Sequence, residues 1–237
     1  DGPDAWLEGY AYRRRIDVVR PVAAQPVADH TLGVAFEDAG LGLHAAADAG
    51  DLVFTSGDAL TIYKHEIADF DQGGRLDAWV RVPVLPPGTS SLYLYYGGPQ
   101  AVAAPHEAWS PAHRGVWHLS GRVSDRESDS TLRTAALTAS MPTETPAVTP
   151  GVAGRAREYT SDELCAPTQA MQFGTTSFSV SLWLSAKGTV GLYDSPLSHG
   201  GGNPTTPGFG FELGTSDWTF TVSDGEGSVT VGGGATQ

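Results

Sequence analysis

Cysteine is nearly absent. Cys165 is the only one in 237 residues, so no disulfide can close within the chain and a disulfide-stapled framework is excluded. Set in an apolar-flanked stretch, Cys165 reads as a small buried hydrophobe rather than a reactive thiol. Lysine is almost as scarce, with Lys64 and Lys187 alone. The 14 basic residues stand against 27 acidic ones, for a net charge of −13. Such a surface repels phosphate backbones and anionic lipid, which argues against a nucleic-acid partner and against docking on membranes. No apolar run approaches the roughly 18 residues that a spanning helix needs, so no membrane insertion is expected. Also missing are a Gly-x-Ser-x-Gly elbow, paired cysteine ligands, a phosphate-binding loop and a repeat of fixed period. The chain opens at Asp1 rather than at methionine, which fits a processed secretory protein or a trimmed chain.

Glycine and proline are plentiful. The 30 glycines and 16 prolines leave few stretches long enough for several helical turns, and tilt the expectation toward short strands and many turns. Residues 30–36 alternate, with Leu32, Val34 and Phe36 on one side. Residues 76–82 repeat the pattern with Leu76, Ala78, Val80 and Val82 opposite Asp77, Trp79 and Arg81. Residues 91–96 set Leu92, Leu94 and Tyr96 against Tyr93 and Tyr95. Residues 13–19 and 60–67 read as less regular strands, and 45–51 as a short helical turn. Strand density lapses over 97–111, which places a boundary near Pro105 and divides the chain into modules 1–105 and 106–237.

The second module opens with a strand at 115–119 and carries a Thr/Pro-rich extended loop over 138–150. Its clearest alternation is at 178–184, where Phe178, Val180, Leu182 and Leu184 oppose Ser179, Ser181 and Trp183. Residues 209–213 and 218–222 alternate too, around a Gly/Pro loop at 198–208. The expectation is an all-β protein: two β-sandwich, jelly-roll-like modules in tandem.

Specific residues then add a resemblance. Trp6 with Tyr10, Tyr12, Arg13, Arg14 and Ile16, then Asp51-Leu52-x-Phe54 and Tyr63-x-x-Glu66-Ile67, follow one another in a distinctive order. Ala78-Trp79-Val80-Arg81-Val82-Pro83 and Leu92-Tyr93-Leu94-Tyr95-Tyr96-Gly97 complete the series. Across residues 5–100 this resembles the bacterial domain of unknown function 2341 family, found at the front of secreted and envelope proteins. The second module resembles a laminin-G-like, concanavalin A-like sandwich over 113–231. That likeness rests on Gly115-Val116-Trp117-His118-Leu119, Asp129-Ser130-Thr131, the glycine-rich 151–156 and Phe178-Ser179-Val180-Ser181-Leu182-Trp183. The chain then runs out in a glycine tail where that module ordinarily continues. The second sandwich is therefore expected to be incomplete, with an open edge that a partner strand could cover, or else to be a piece of a longer polypeptide.

The resemblance implies a secreted, cell-surface or periplasmic location, and a weakly bound Ca2+ held at the sandwich rim by Asp125, Asp129 and Asp162. Catalysis is not expected. A retaining glucanase of this fold needs two carboxylates on one strand face, and the second module has no such motif. In Glu66-x-x-Asp69-x-Asp71 the first two carboxylates fall on opposite strand faces, which makes the cluster turn-forming and solvated. His113 and His118 do not share a face, and His118 reads as a structural residue beside Trp117. The ligand-facing candidates are aromatic: Trp183, Trp79, Tyr93 and Tyr95, each on the side of its strand away from the core. They either pack between modules or present stacking platforms. The composite expectation is a recognition or adhesion protein for carbohydrate or envelope polymer. The alternatives are a self-assembling surface protein and, more weakly, a glycan-processing enzyme.

Overall fold

The computed structural model describes residues 5–101, 105–120, 126–133, 135–139, 146–152, 154–159, 164–166, 171, 173, 176–185, 194–200, 206–214 and 217–234. The elements in chain order are β1 (Tyr12–Arg20), β2 (Val27–Glu37), α1 (Ala39–His44), β3 (Val53–Ser56), β4 (Lys64–Phe70), β5 (Arg75–Leu85) and β6 (Gly88–Tyr96). They continue with β7 (Arg126–Glu127), β8 (Leu137–Ala139), β9 (Ala147–Pro150), β10 (Arg155–Glu158), β11 (Leu164–Cys165), β12 (Asp194–His199), β13 (Gly208–Leu213), β14 (Asp217–Ser223) and β15 (Ser228–Gly234). The protein is all-β, and its strand ladders are antiparallel. No helix among the described residues is long and apolar enough to cross a membrane.

Two compact units form, Asp1–Ala166 and Pro167–Gln237. In the first, one sheet has the order β1-β6-β3 and another the order β2-β5-β4. A single buried cluster draws on both: Val34, Leu76, Ala78, Val80 and Val82 from one, Phe54, Leu92, Leu94 and Tyr96 from the other, with Leu41 and Leu52. Two layers around one core are consistent with a sandwich. The alternating apolar positions at 76–82 and 92–96 are buried in this cluster. β6 is covered on its other face as well, where Tyr93 and Tyr95 join Val53 and Ala59 beneath Leu7 and Tyr10. Arg13 seals this second cluster. Its guanidinium lies 4.4 Å from the Trp6 ring centroid and 4.6 Å from that of Tyr93, and donates to the Ala5 carbonyl at 2.9 Å.

The first unit does not end near Pro105. Residues after it lie on the outer face of β4 and β5, where Trp109 packs on Trp79 with centroids 5.2 Å apart. An outer face bearing Glu66 and Trp79 needs a cover, and the downstream chain supplies it. The small sheets β11-β8-β7 and β10-β9 also belong to this unit.

Residues 45–51 form turns as expected, Ala49 N donating to the Ala46 carbonyl at 2.8 Å and Leu52 N to the Ala49 carbonyl at 3.2 Å. The helix α1 just before them was not expected. Asp38 caps it by accepting from Gly40 N at 2.8 Å and Leu41 N at 3.3 Å, and ion-pairs with Arg14. Asp38→Ala is expected to cost about 1–2 kcal/mol in urea denaturation, since it removes cap and pair together. Residues 115–119 form no strand. Val116 N donates to Asp129 Oδ1 at 3.0 Å instead of to a ladder, and Leu119 sits in the left-handed region at φ 53°. Cys165, expected to be buried, is exposed on β11.

The second unit is a four-stranded meander, β12-β13-β14-β15. The glycine-rich tail is its last strand, turned by Asp224, whose Oδ1 accepts from Glu226 N at 2.9 Å and Gly227 N at 2.8 Å. Residues 178–184 make no ladder among the described residues despite their alternation.

Candidate functional site

The outer face of β4 and β5 carries the most organised polar cluster in the first unit. Antiparallel register sets Glu66 directly across from Trp79. Three side chains from the covering segment converge on the Glu66 carboxylate. Ser130 Oγ donates to Oε1 at 2.6 Å, Trp109 Nε1 donates to Oε2 at 2.7 Å, and His118 Nε2 lies 3.2 Å from Oε2. The His118 ring stacks on Trp79 at 5.5 Å with an 18° interplanar angle, and tilts against Trp109. A register shift between Ile67 and Asp69 bends β4 beside the site, a common device for re-aiming side chains next to a cleft.

This cluster opens into a cavity of about 220 Å³. It is lined by Glu66, Ile67 and Ala68 of β4 and by His118, Ser120, Arg126, Glu127, Ser128 and Ser130 of the covering segment. One wall is anchored by a buried ion pair. Arg157 Nη2 of β10 lies 3.1 Å from Glu127 Oε2 of β7, with the arginine side chain wholly enclosed. The same nitrogen donates to the Arg126 carbonyl at 2.8 Å, while Glu127 Oε1 accepts from Ser120 N at 3.1 Å and Ser120 Oγ at 3.2 Å. The cavity lining therefore combines carboxylate-, hydroxyl- and arginine-bearing residues.

Burial on its own would push the Glu66 carboxyl up. His118, Ser130 and Trp109 outweigh it and hold the group below its ordinary value. Glu66 thus stays a carboxylate at neutral pH, the opposite of what a general acid requires. On the other face of β4, His65 is pushed down by burial against Phe54, and its bonds to the carbonyls of Tyr63 and Leu52 offset this only in part.

Acid is expected to destabilise the first unit in two stages. Below its ordinary 6.5, His65 takes up a proton in the unfolded chain that the folded chain resists, so stability falls as pH drops from there. Glu66 adds a second loss as pH falls below its ordinary 4.5. Urea titrations at about pH 7.5 and about pH 5.5 test the first stage, and His65→Gln is expected to flatten that interval.

The aromatic candidates from the sequence fare differently. Trp79 lies in the cluster beneath His118. Tyr93 and Tyr95 are 3% and 0% exposed, packed under the N-terminal segment, and offer no platform. Trp183 is 81% exposed in the second unit. Among the calcium candidates, Asp125 and Asp162 lie outside the described residues. Asp129 is buried, and its two oxygens take Val116 N, Thr131 N, Thr131 Oγ1 and Ala135 N, which makes it the organiser of its loop. Among the described residues no three potential ligands converge for a metal. Glu66, expected to be solvated and turn-forming, is instead the hub of the site. The one signal for it was a carboxylate at the strand position that faces Trp79.

No family model, curated protein or solved structure matches the chain.

Proposed function

We propose that the first unit is a non-catalytic carbohydrate-recognition module of an extracellular or periplasmic protein, with the Glu66–His118 cavity as its sugar site. The observation that carries this reading is an ionised carboxylate, fixed by three donors, in the lining of a cavity that serines also line. The cavity's 220 Å³ lies below the roughly 300–1,000 Å³ of drug-sized sites, so it suits one ring-sized group rather than an extended segment. Sugar hydroxyls donate and accept at once. Ser120, Ser128 and Ser130 can do both, Glu66 and Glu127 accept, and Arg126 donates. Glu66 Oε1 takes one donor, Ser130, which leaves a lone pair for a sugar hydroxyl. A carboxyl held down by its neighbours favours binding over glycosidic protonation.

Screening the whole chain on a glycan array, followed by calorimetry, tests the reading. Arg126 is exposed, so Arg126→Ala is expected to leave the fold intact and to weaken binding about tenfold, the value of one hydrogen bond to a charged group. Hydrolysis of the bound glycan, or affinity untouched by Arg126→Ala and Ser128→Ala, would overturn it.

A further inference from the structure

Two charged side chains that line the Glu66–His118 cavity lack a permanently charged partner. Glu66 is the first. Its side chain is 13% exposed, and its donors are a hydroxyl, an indole and an imidazole, from Ser130, Trp109 and His118. No lysine or arginine reaches it among the described residues. The other carboxylates on this face of β4 and β5 are treated differently. Past the register shift Asp69 lies opposite Asp77, and each has an arginine: Arg155 Nε is 3.5 Å from Asp69 Oδ2, and Arg75 Nε is 3.3 Å from Asp77 Oδ2. Glu127, which also lines the cavity, has Arg157.

Arg126 is the second. Its backbone carbonyl accepts from Arg157, but its guanidinium makes no hydrogen bond or ion pair among the described residues. Elsewhere cations are taken up, Arg14 by Asp38, Arg81 by Asp29 and Lys64 by Glu107. In a chain of 27 acidic and 14 basic residues, an arginine without a carboxylate is the less expected state. Glu66 and Arg126 belong to different sheets, line one cavity and form no ion pair with each other.

A carboxylate taken out of water without a cation is costly, and a ligand that brings the cation recovers part of that cost. Among the described residues no three potential metal ligands converge, so the donor set suits an organic cation better than a metal ion. A ligand of one sign would be attracted by one of the two groups and repelled by the other. A ligand carrying both signs answers both, through charge-assisted hydrogen bonds.

We propose, resting on the sugar reading above, that the cavity takes an amino sugar that also carries an acidic substituent, its ammonium pairing with Glu66 and its acid with Arg126. An amino group and a phosphate on the primary hydroxyl lie on opposite sides of a pyranose ring. One ring-sized ligand can therefore serve two groups that do not pair with each other.

Four probes on one ring skeleton separate the two charges: glucose, glucosamine, glucose 6-phosphate and glucosamine 6-phosphate, each titrated into the whole chain by calorimetry at neutral pH. Glucosamine 6-phosphate is expected to bind about tenfold tighter than glucose, and more tightly than either singly charged ring. Glu66→Gln is expected to abolish its advantage over glucose 6-phosphate, and Arg126→Ala its advantage over glucosamine, with a cooperative circular dichroism melt retained in both. Four rings that bind alike overturn the proposal and leave the sugar reading standing. A chain that binds none of the four overturns it as well, and the glycan array then decides whether the sugar reading falls with it. Inorganic phosphate bound as tightly as glucosamine 6-phosphate, or preferences that survive both substitutions, also overturn it.

Discussion

Arg157→Met is expected to destabilise the first unit by about 3–5 kcal/mol in urea denaturation, because it strands a charge that the fold has taken out of water. The guanidinium is completely enclosed, and its partner Glu127 is 7% exposed at the side chain. With the arginine gone, Glu127 keeps the two Ser120 donors on Oε1, while Oε2 loses Arg157 Nε at 3.4 Å and Nη2 at 3.1 Å. The Arg126 carbonyl loses its donor as well. The double variant Glu127→Met/Arg157→Met separates the cost of stranding from the worth of the pair. Replacing both charges by apolar groups of similar volume is expected to recover most of the loss, since desolvation offsets much of the attraction within such a pair. Recovery will stay incomplete because the Ser120 amide then lacks an acceptor. A single variant within about 1 kcal/mol of the parent would mean that water reaches Glu127 and that the wall of the cavity is loose.

How legible all this was depended on the range of the interactions involved. β5 and β6 announced themselves because each buries one face on a shared core, so Leu76, Ala78, Val80 and Val82, like Leu92 and Leu94, repeat with the pleat. Periodicity says which side of a strand is apolar, not what lies against the other side. Tyr93 and Tyr95 were rightly set apart from the main core, but the second cover formed by Leu7, Tyr10 and Arg13 turned them from surface into interior. Residues 178–184 show the converse, a strand pattern with no ladder partner among the described residues. The tail at 228–234 looked featureless because three glycines hide its alternation; the signal lay in the Asp224 turn before it. Glu66 was the hardest to read. Its three partners come from 43, 52 and 64 residues downstream, and no window short enough to show a period reaches that far.

Glu66→Ala is therefore the substitution that tests both the site and the way the first unit is closed. It removes the acceptor of Trp109 Nε1 and of the Ser130 hydroxyl, and the contact that orients His118. An orphaned buried donor costs roughly 1–3 kcal/mol; Ser130 can rotate toward water and the ring stacking remains, so the expected loss is about 2–4 kcal/mol rather than the full sum. Hydrogen exchange is expected to speed up at Trp109, His118 and Ser130 before it does so at the β5–β6 core, because the covering segment loosens while the sheets persist. Glu66→Gln keeps one acceptor oxygen and nearly the same shape, and is expected to cost only about 1 kcal/mol. The pair of variants distinguishes two roles. If Glu66 only clamps the segment, Glu66→Gln retains glycan affinity along with stability; if it also contacts the sugar, affinity falls at least tenfold while the fold stays intact. An alanine variant as stable as the parent would show that stacking of Trp79, Trp109 and His118 alone holds the segment to the sheet.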